Sequence, residues 1–315
     1  TAFTGALSRV AGETVAGGPY AINQNTLAAN ANYTLTSYTG ANLTINPRAI
    51  TLAADAASKT YGNADPALSV SITGGSLASV AVTDTLAEVT GTLARQAGET
   101  VAGGPYDIAL GSGAKAANYA ISFVTNNAAF SINPRAITVT AGAQTKTYGN
   151  NDPTLTFTVG GSGLANNAGI GVVDTVGTAF TGALSRVAGE TVAGGPYAIN
   201  QNTLAANANY TLTSYASANL TITPAALSIT ADDKSRAEGT ANPPFTASFS
   251  GFKLSDDPTS LSGSLVFATP ATIASLAGAY PISPSGVTAA NYTISFVDGV
   301  LSVTASGTPT PTPTP

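Results

Sequence analysis

Along most of the chain apolar and polar residues alternate with a period of two, the pattern of a strand with one buried and one solvated face. Between residues 47 and 133 the apolar set reads Ile50, Leu52 and Ala54, then Leu68, Val70 and Ile72 with Ser69 and Ser71 opposite, then Val89, Gly91 and Leu93. Tyr106, Ile108 and Leu110 follow, then Tyr119, Ile121 and Phe123, and last Phe130 and Ile132. The spacing predicts six strands, separated by turn chemistry such as Gly103-Gly104-Pro105 and Gly111-Ser112-Gly113. The same faces return as Leu155, Phe157 and Val159 with Phe180 and Leu184, and again as Phe245, Ala247 and Phe249 with Leu265 and Phe267. The fold class expected is all-β, a tandem array of small antiparallel β-sandwich-like repeats. A β-grasp-like layer packed by a short helix is the alternative.

Self-comparison gives the organisation. Thr1–Tyr38 recurs unchanged as Thr178–Tyr215, an offset of 177, with a weaker copy between them. Asn46-Pro47-Arg48-Ala49-Ile50, Asn133-Pro134-Arg135-Ala136-Ile137 and Thr223-Pro224-Ala225-Ala226-Leu227 open successive units. Residues 1–46 therefore read as the second half of a repeat, 47–133 and 134–223 as whole repeats, 224–304 as a divergent terminal repeat, and 305–315 as a Thr/Pro linker. Each whole unit is long enough to bury a core of its own. The second carries extra residues between Gly160 and Val176, expected to form a surface connection or a short irregular helix.

Lys59-Thr60-Tyr61-Gly62-Asn63-Ala64-Asp65-Pro66 is repeated as Lys146-Thr147-Tyr148-Gly149-Asn150-Asn151-Asp152-Pro153. With the downstream Gly-Glu-Thr-Val, Pro-Tyr and Asn-Tyr-Thr markers, these segments resemble the MBG-type (YDG-like) repeats of large bacterial surface adhesins and haemagglutinin-like exoproteins. The resemblance implies an extracellular all-β module in tandem arrays, placed between a membrane anchor and a tip, and supplies neither a catalytic residue nor a ligand. In the third whole repeat Tyr61 is replaced by Glu238 and Asp65 by Asn242, which suits a unit that ends an array.

Composition narrows the chemistry. Cys, His, Met and Trp are absent, which removes thiol and imidazole nucleophiles, bases and metal ligands, and every disulfide. No enzymatic activity and no cofactor are expected. Only 9% of residues are charged, the net charge is −5, and no Lys/Arg cluster exists to track a nucleic-acid backbone. No apolar run is long enough to cross a membrane as a helix. With no Met, Thr1 is expected to open a processed or cut piece of a longer protein, and the Gly-, Ala-, Thr- and Asn-rich, Cys-free composition suits export from a bacterium. Outward Thr, Ser and Asn keep the strands soluble but guard their edges less well than Lys would.

Candidate sites are few. No metal site is expected; a Ca²⁺ ion, if bound, would draw on Asp55, Asp65, Asp84, Asp152 and Asp174, yet no stretch shows the dense alternating acidic ligands of a dedicated loop. The Tyr-Gly-x-x-Asp-Pro element is expected to be a turn whose Asp carboxylate caps backbone amides. Asp232-Asp233 and Asp256-Asp257 read as solvated turn residues. Arg9, Arg95 and Arg186 stand where each could pair with Glu13, Glu99 or Glu190 to brace a hairpin. Tyr33, Tyr119, Tyr210 and Tyr292 begin apolar faces and are expected to pack inward with the hydroxyl at a rim. Asn-x-Thr at Asn32, Asn42, Asn209, Asn219 and Asn291 meets the glycosylation rule, incidentally in so Asn- and Thr-rich a chain.

The reading that follows is a non-enzymatic stalk or spacer of a secreted, surface-associated bacterial adhesin, its repeats partnered by their neighbours in the same polypeptide. Two alternatives stay open: a subunit of an extracellular filament assembled through the β-repeats, and an adhesive module for a host or matrix ligand.

Overall fold

The computed structural model describes residues 1–307; the Thr-Pro run from Thr308 to Pro315, and with it most of the expected linker, lies outside the described residues. The protein is all-β, as its periodicity requires. Each whole repeat is organised on two long strands, one near its beginning and one near its end, lying side by side and running in the same direction. In the third whole repeat Ala225–Ala231 pairs in parallel with Tyr292–Val297, and Lys234–Ala237 with Gly299–Thr304. Both pairings keep one register, Ala225 with Tyr292 and Lys234 with Leu301, so they are two stretches of a single ladder. The first whole repeat pairs the equivalent strands in parallel, Arg48–Ala54 with Tyr119–Phe123 and Ala57–Thr60 with Phe130–Asn133, with a change of register between the two stretches.

Antiparallel strands flank this ladder: Val70–Gly75 lies against Arg48–Ala54, and Gly278–Thr288 against Gly299–Thr304. The sheets thus combine the antiparallel pairings expected with these parallel ones. The reason is connectivity. Parallel first and last strands bring the chain in at one end of a repeat and out at the other, whereas an antiparallel pair would return it to its starting end.

Alternation sets which side chains are buried. Ile50 and Leu52, Ile137 and Val139, and Leu227 and Ile229 all point inward at two-residue spacing and are buried, with Thr or Ser between them. Phe157 is half-buried and Thr158 exposed, which keeps the predicted register of that strand. One expected strand is instead a helix. Val89 belongs to Leu86–Thr90, a single helical turn opened by a capping box in which Thr85 accepts from the Glu88 amide and the Glu88 carboxylate accepts from Thr85. Val89 still enters the core, but from a helix. A helix at Val176–Ala179 capped by Thr175, and a 3₁₀ turn at Pro258–Ser260 capped by Asp257, stand at the same place in the next two repeats. The added residues between Gly160 and Val176 form the two-residue strand Asn166–Asn167 and the 3₁₀ turn Ala168–Ile170.

By backbone contacts the chain divides into two compact units, one comprising residues 1–137, 162–180 and 206–211, the other 138–161, 181–205 and those from Leu212 on. The division passes through the second whole repeat. In the first unit Ile50, Leu52, Val89 and Tyr119 form a core under one sheet. In the second, a single buried cluster joins Ile199, Leu220 and Ile222 of one repeat to Leu227, Ile229 and Tyr292 of the next, and a smaller one gathers Ile282, Leu301 and Val303. Apolar packing therefore runs across a repeat boundary. On the strand Arg48–Ala54, Leu52→Ala should cost about 2–5 kcal/mol in chemical denaturation, the range for emptying a fully buried aliphatic site, while the neighbouring, exposed Thr51→Ala should change stability by less than about 0.5 kcal/mol. Equal effects would place the strand register one residue out.

Candidate functional site

The recurring Tyr-Gly-Asn segment sits where one repeat meets the next. Tyr61 follows directly on the strand Ala57–Thr60, and its amide donates to the Asn133 carbonyl at 2.9 Å, which fixes the ring at the end of its repeat. The hydroxyl then donates to Asp174 Oδ2 of the following repeat at 2.9 Å. The same oxygen accepts from Tyr210 at 2.5 Å, and the Tyr210 hydroxyl in turn accepts from the Ala165 amide at 2.9 Å. The two rings meet edge to face with centroids 5.4 Å apart. Burial, reinforced by the bond to Asp174, pushes Tyr61 up to about 12, and burial raises Tyr210 as well, so both stay protonated donors at neutral pH.

The next junction repeats this geometry in other residues. Tyr148 and Tyr292 donate to Asp256 Oδ2 at 2.9 and 2.7 Å, their rings again 5.4 Å apart and near perpendicular, and the Lys253 amide donates to Tyr292. Burial pushes Tyr292 up to about 12. A second contact accompanies each junction: the amides of Val15, Val101 and Val192 donate to the side-chain oxygens of Asn118, Asn209 and Asn291 at 3.0, 2.9 and 3.0 Å. Two of the Asn-x-Thr asparagines are thus junction acceptors.

The glycine after each tyrosine has a steric reason. Gly62 holds φ +79°, and a Cβ there would lie 2.5 Å from that of Ala165 in the next repeat. Gly149 likewise faces the Lys253 side chain. Gly239, in the divergent repeat, keeps φ +76° but has no atom within 4 Å of a built Cβ, and the preceding residue is Glu238, whose carboxylate accepts from the Ala277 amide. Turn and junction roles separate there.

Beneath the turns at Tyr61 and Tyr148 lies a compact charge network. Asp65 accepts from Lys59 and Arg95, and both cations also bind Glu99; Lys146, Asp152, Arg186 and Glu190 repeat the arrangement. The Asp of the motif therefore binds side-chain cations rather than capping backbone amides, because strand pairing already occupies the nearby amides and leaves the buried Lys59 and Lys146 ammonium groups in need of anions. Arg186, and secondarily Lys146, hold Asp152 down at about 2. The Arg9–Glu13, Arg95–Glu99 and Arg186–Glu190 pairs all form, and each guanidinium also lies 5.3–5.5 Å from the ring centroid of Tyr20, Tyr106 or Tyr197.

The five aspartates named for Ca²⁺ are not brought together. Asp55 accepts from Ser69 and Ser71, Asp65 and Asp152 lie in the charge networks, Asp84 accepts from Lys115 and Tyr119, and Asp174 from the two junction tyrosines. Among the described residues no three acidic groups converge. Of the acidic pairs, Asp233 and Asp257 are exposed as expected, while Asp232 and Asp256 are half-buried; Asp232 accepts from Thr246 and Ser248, Asp233 from the Val300 amide, Asp256 from two tyrosines, and Asp257 caps its 3₁₀ turn. Tyr119, Tyr210 and Tyr292 are buried with their hydroxyls bound inside rather than at a rim, and Tyr33, which lies outside any strand, is 63% exposed. A hollow of about 980 Å³ beside Asp65, Arg95 and Glu99 has its charges paired among themselves.

The family profile of the MBG domain, YGX type, matches residues 1–44, 50–130, 137–221 and 227–302. No curated protein matches the sequence.

The raised tyrosines set an alkaline limit. Their neutral forms contribute stability that is fully present below the unfolded value near 10 and is lost as pH rises through about 12. In a pH titration followed by tyrosinate absorbance, one class of tyrosines should ionise near 12, and Tyr61→Phe should remove one member of that class and lessen the alkaline loss of stability. An unchanged late class in that variant would show that Tyr61 is not held by the junction.

Proposed function

Since the chain belongs to the YGX-type MBG domain family, a repeat domain typical of surface adhesin-like proteins and not a known enzyme class, we propose that it serves as a non-enzymatic spacer, a stalk of a secreted or surface-attached bacterial adhesin whose reach is set by repeat number. One observation carries the reading: the residues that name the motif are spent on joining a repeat to its successor. Tyr61 and Tyr148 leave their own repeats to bind Asp174 and Asp256, and Asp65 and Asp152 are taken up by Lys59 and Lys146. Parallel first and last strands supply the second requirement, entry and exit at opposite ends of a unit.

The extra loop of the second whole repeat supports the same view over an adhesive site there. Ala165 packs on Gly62, Asn167 donates to the Gly62 carbonyl, and Asp174 receives Tyr61, so the segment is engaged at the junction. We take the folding repeats as residues 47–133, 134–223 and 224–304. No helix among the described residues is long and apolar enough to cross a membrane.

A stalk makes a quantitative demand. The ladder of a repeat spans about 13 residues, so at ~3.3 Å per residue each inserted copy of residues 134–223 should lengthen the particle by roughly 40 Å in electron micrographs or small-angle scattering. Growth well below that, or regular polymers of the isolated chain, would contradict the spacer role.

A further inference from the structure

The path that tension takes through a repeat is set by its parallel strands. In the third whole repeat the chain enters at the start of Ala225–Ala231 and leaves at the end of Gly299–Thr304. Parallel pairs run between these two ends, from Ala225 with Tyr292 to Thr230 with Val297, and from Lys234 with Leu301 to Ala237 with Thr304. A pull on the entry and exit points therefore draws the early strands lengthwise past the late ones. All the bonds between them are loaded together, whereas a pull on two neighbouring strand ends opens a ladder one pair at a time.

The arrangement is reinforced at its margins and on its flanks. The Ala225 amide donates to the Asn291 carbonyl at 3.0 Å and the Glu238 amide to the Thr304 carbonyl at 2.9 Å, so the ladder is closed at both ends. Between its two stretches the Val300 amide donates to Asp233 Oδ1 at 2.7 Å. The loaded strands are also interior ones: Ala225–Ala231 lies between Ala247–Ser250 and Tyr292–Val297, and Gly299–Thr304 between Lys234–Ala237 and Gly278–Thr288. Neither slides without breaking pairs on both sides. Leu227, Ile229, Leu301 and Val303 project from the same strands into buried clusters, which couples sliding to the exposure of apolar surface.

The first whole repeat has the same path. Arg48–Ala54 is held between Val70–Gly75 and Tyr119–Phe123, Ala57–Thr60 pairs with Phe130–Asn133, and the Tyr61 amide closes the ladder on the Asn133 carbonyl at 2.9 Å. The handover to the next repeat has no slack. Pro134 alone separates Phe130–Asn133 from Arg135–Ala141, and Pro224 alone separates Ala218–Thr223 from Ala225–Ala231. Tension leaving one ladder enters the next directly.

We propose that each whole repeat is a mechanical clamp, which bears tension along the polypeptide through shear of its parallel strands. Its use in a stalk rests on the spacer reading, but the resistance belongs to the fold and is measured without it.

The test pulls the intact chain in single-molecule force spectroscopy through pairs of introduced cysteines, which are unambiguous handles because the chain has no Cys of its own. Asn46→Cys with Asn133→Cys loads the first whole repeat in shear. Asn46→Cys with Ala117→Cys pulls the same ladder open from one end, beside the pair of Arg48 with Tyr119. All three handle positions are exposed, so the substitutions leave the core intact. Forced unfolding is governed by the barrier along the pulled direction, and the shear pair is expected to need at least about twofold more force than the peeling pair at equal pulling speed. Its rupture should be one event that frees roughly 300 Å of chain. Equal forces in the two directions, or gradual extension of the shear pair without a rupture, would overturn the clamp while leaving the spacer reading to its own test of length.

Discussion

A carboxylate shared by two tyrosine hydroxyls from opposite sides of a repeat boundary is the interaction on which the array depends. Asp174 and Asp256 are half-buried, and an aspartate in that setting needs donors for its charge. Each receives two phenols on one oxygen, and the donors bring with them a pair of perpendicular rings that close the apolar seam. Asp84 of the first whole repeat binds the Lys115 ammonium in addition to Tyr119, and that bond, with the one from Tyr119, holds its carboxyl below the ordinary range.

The parallel ladder makes such a boundary repeatable. Because first and last strands run together, the end of one repeat and the beginning of the next lie at the same place in the chain, and Tyr-Gly-Asn at the end of the second strand is presented there each time. The glycine allows the turn to press against the following repeat without a side chain between them. Apolar residues join in, since Leu220 and Ile222 share a cluster with Leu227 and Ile229 across the boundary. Stability is then distributed over repeats and their interfaces together, as in other stacked arrays.

Much of this was legible from sequence. Period-two alternation placed Ile50, Leu52, Leu227 and Ile229 inside, and the exact recurrence of Thr1–Tyr38 gave the repeat. The missed elements share a cause, which is that pairing partners lie about 70 residues apart and local pattern carries no information on direction or neighbour. Parallel pairing of Arg48–Ala54 with Tyr119–Phe123 could not be read from either strand alone. The helix at Leu86–Thr90 could have been: Thr85 and Glu88 spell a capping box, overshadowed by the alternation of Val89, Gly91 and Leu93. The junction left one signal too. Tyr61 and Tyr148 stand at the same place in two repeats and each binds an aspartate of the repeat that follows, whereas the equivalent residue of the divergent repeat is Glu238.

The central claim is that the tyrosine of one repeat and the aspartate of the next are energetically coupled. A double-mutant cycle on Tyr148→Phe and Asp256→Ala, read by chemical denaturation, measures that coupling directly. A hydrogen bond from a buried phenol to a carboxylate predicts an interaction energy of about 1–2 kcal/mol, with Asp256→Ala losing much of its effect once the hydroxyl is gone. Additive single effects, within about 0.3 kcal/mol, would contradict the account and leave the boundary held by apolar packing alone.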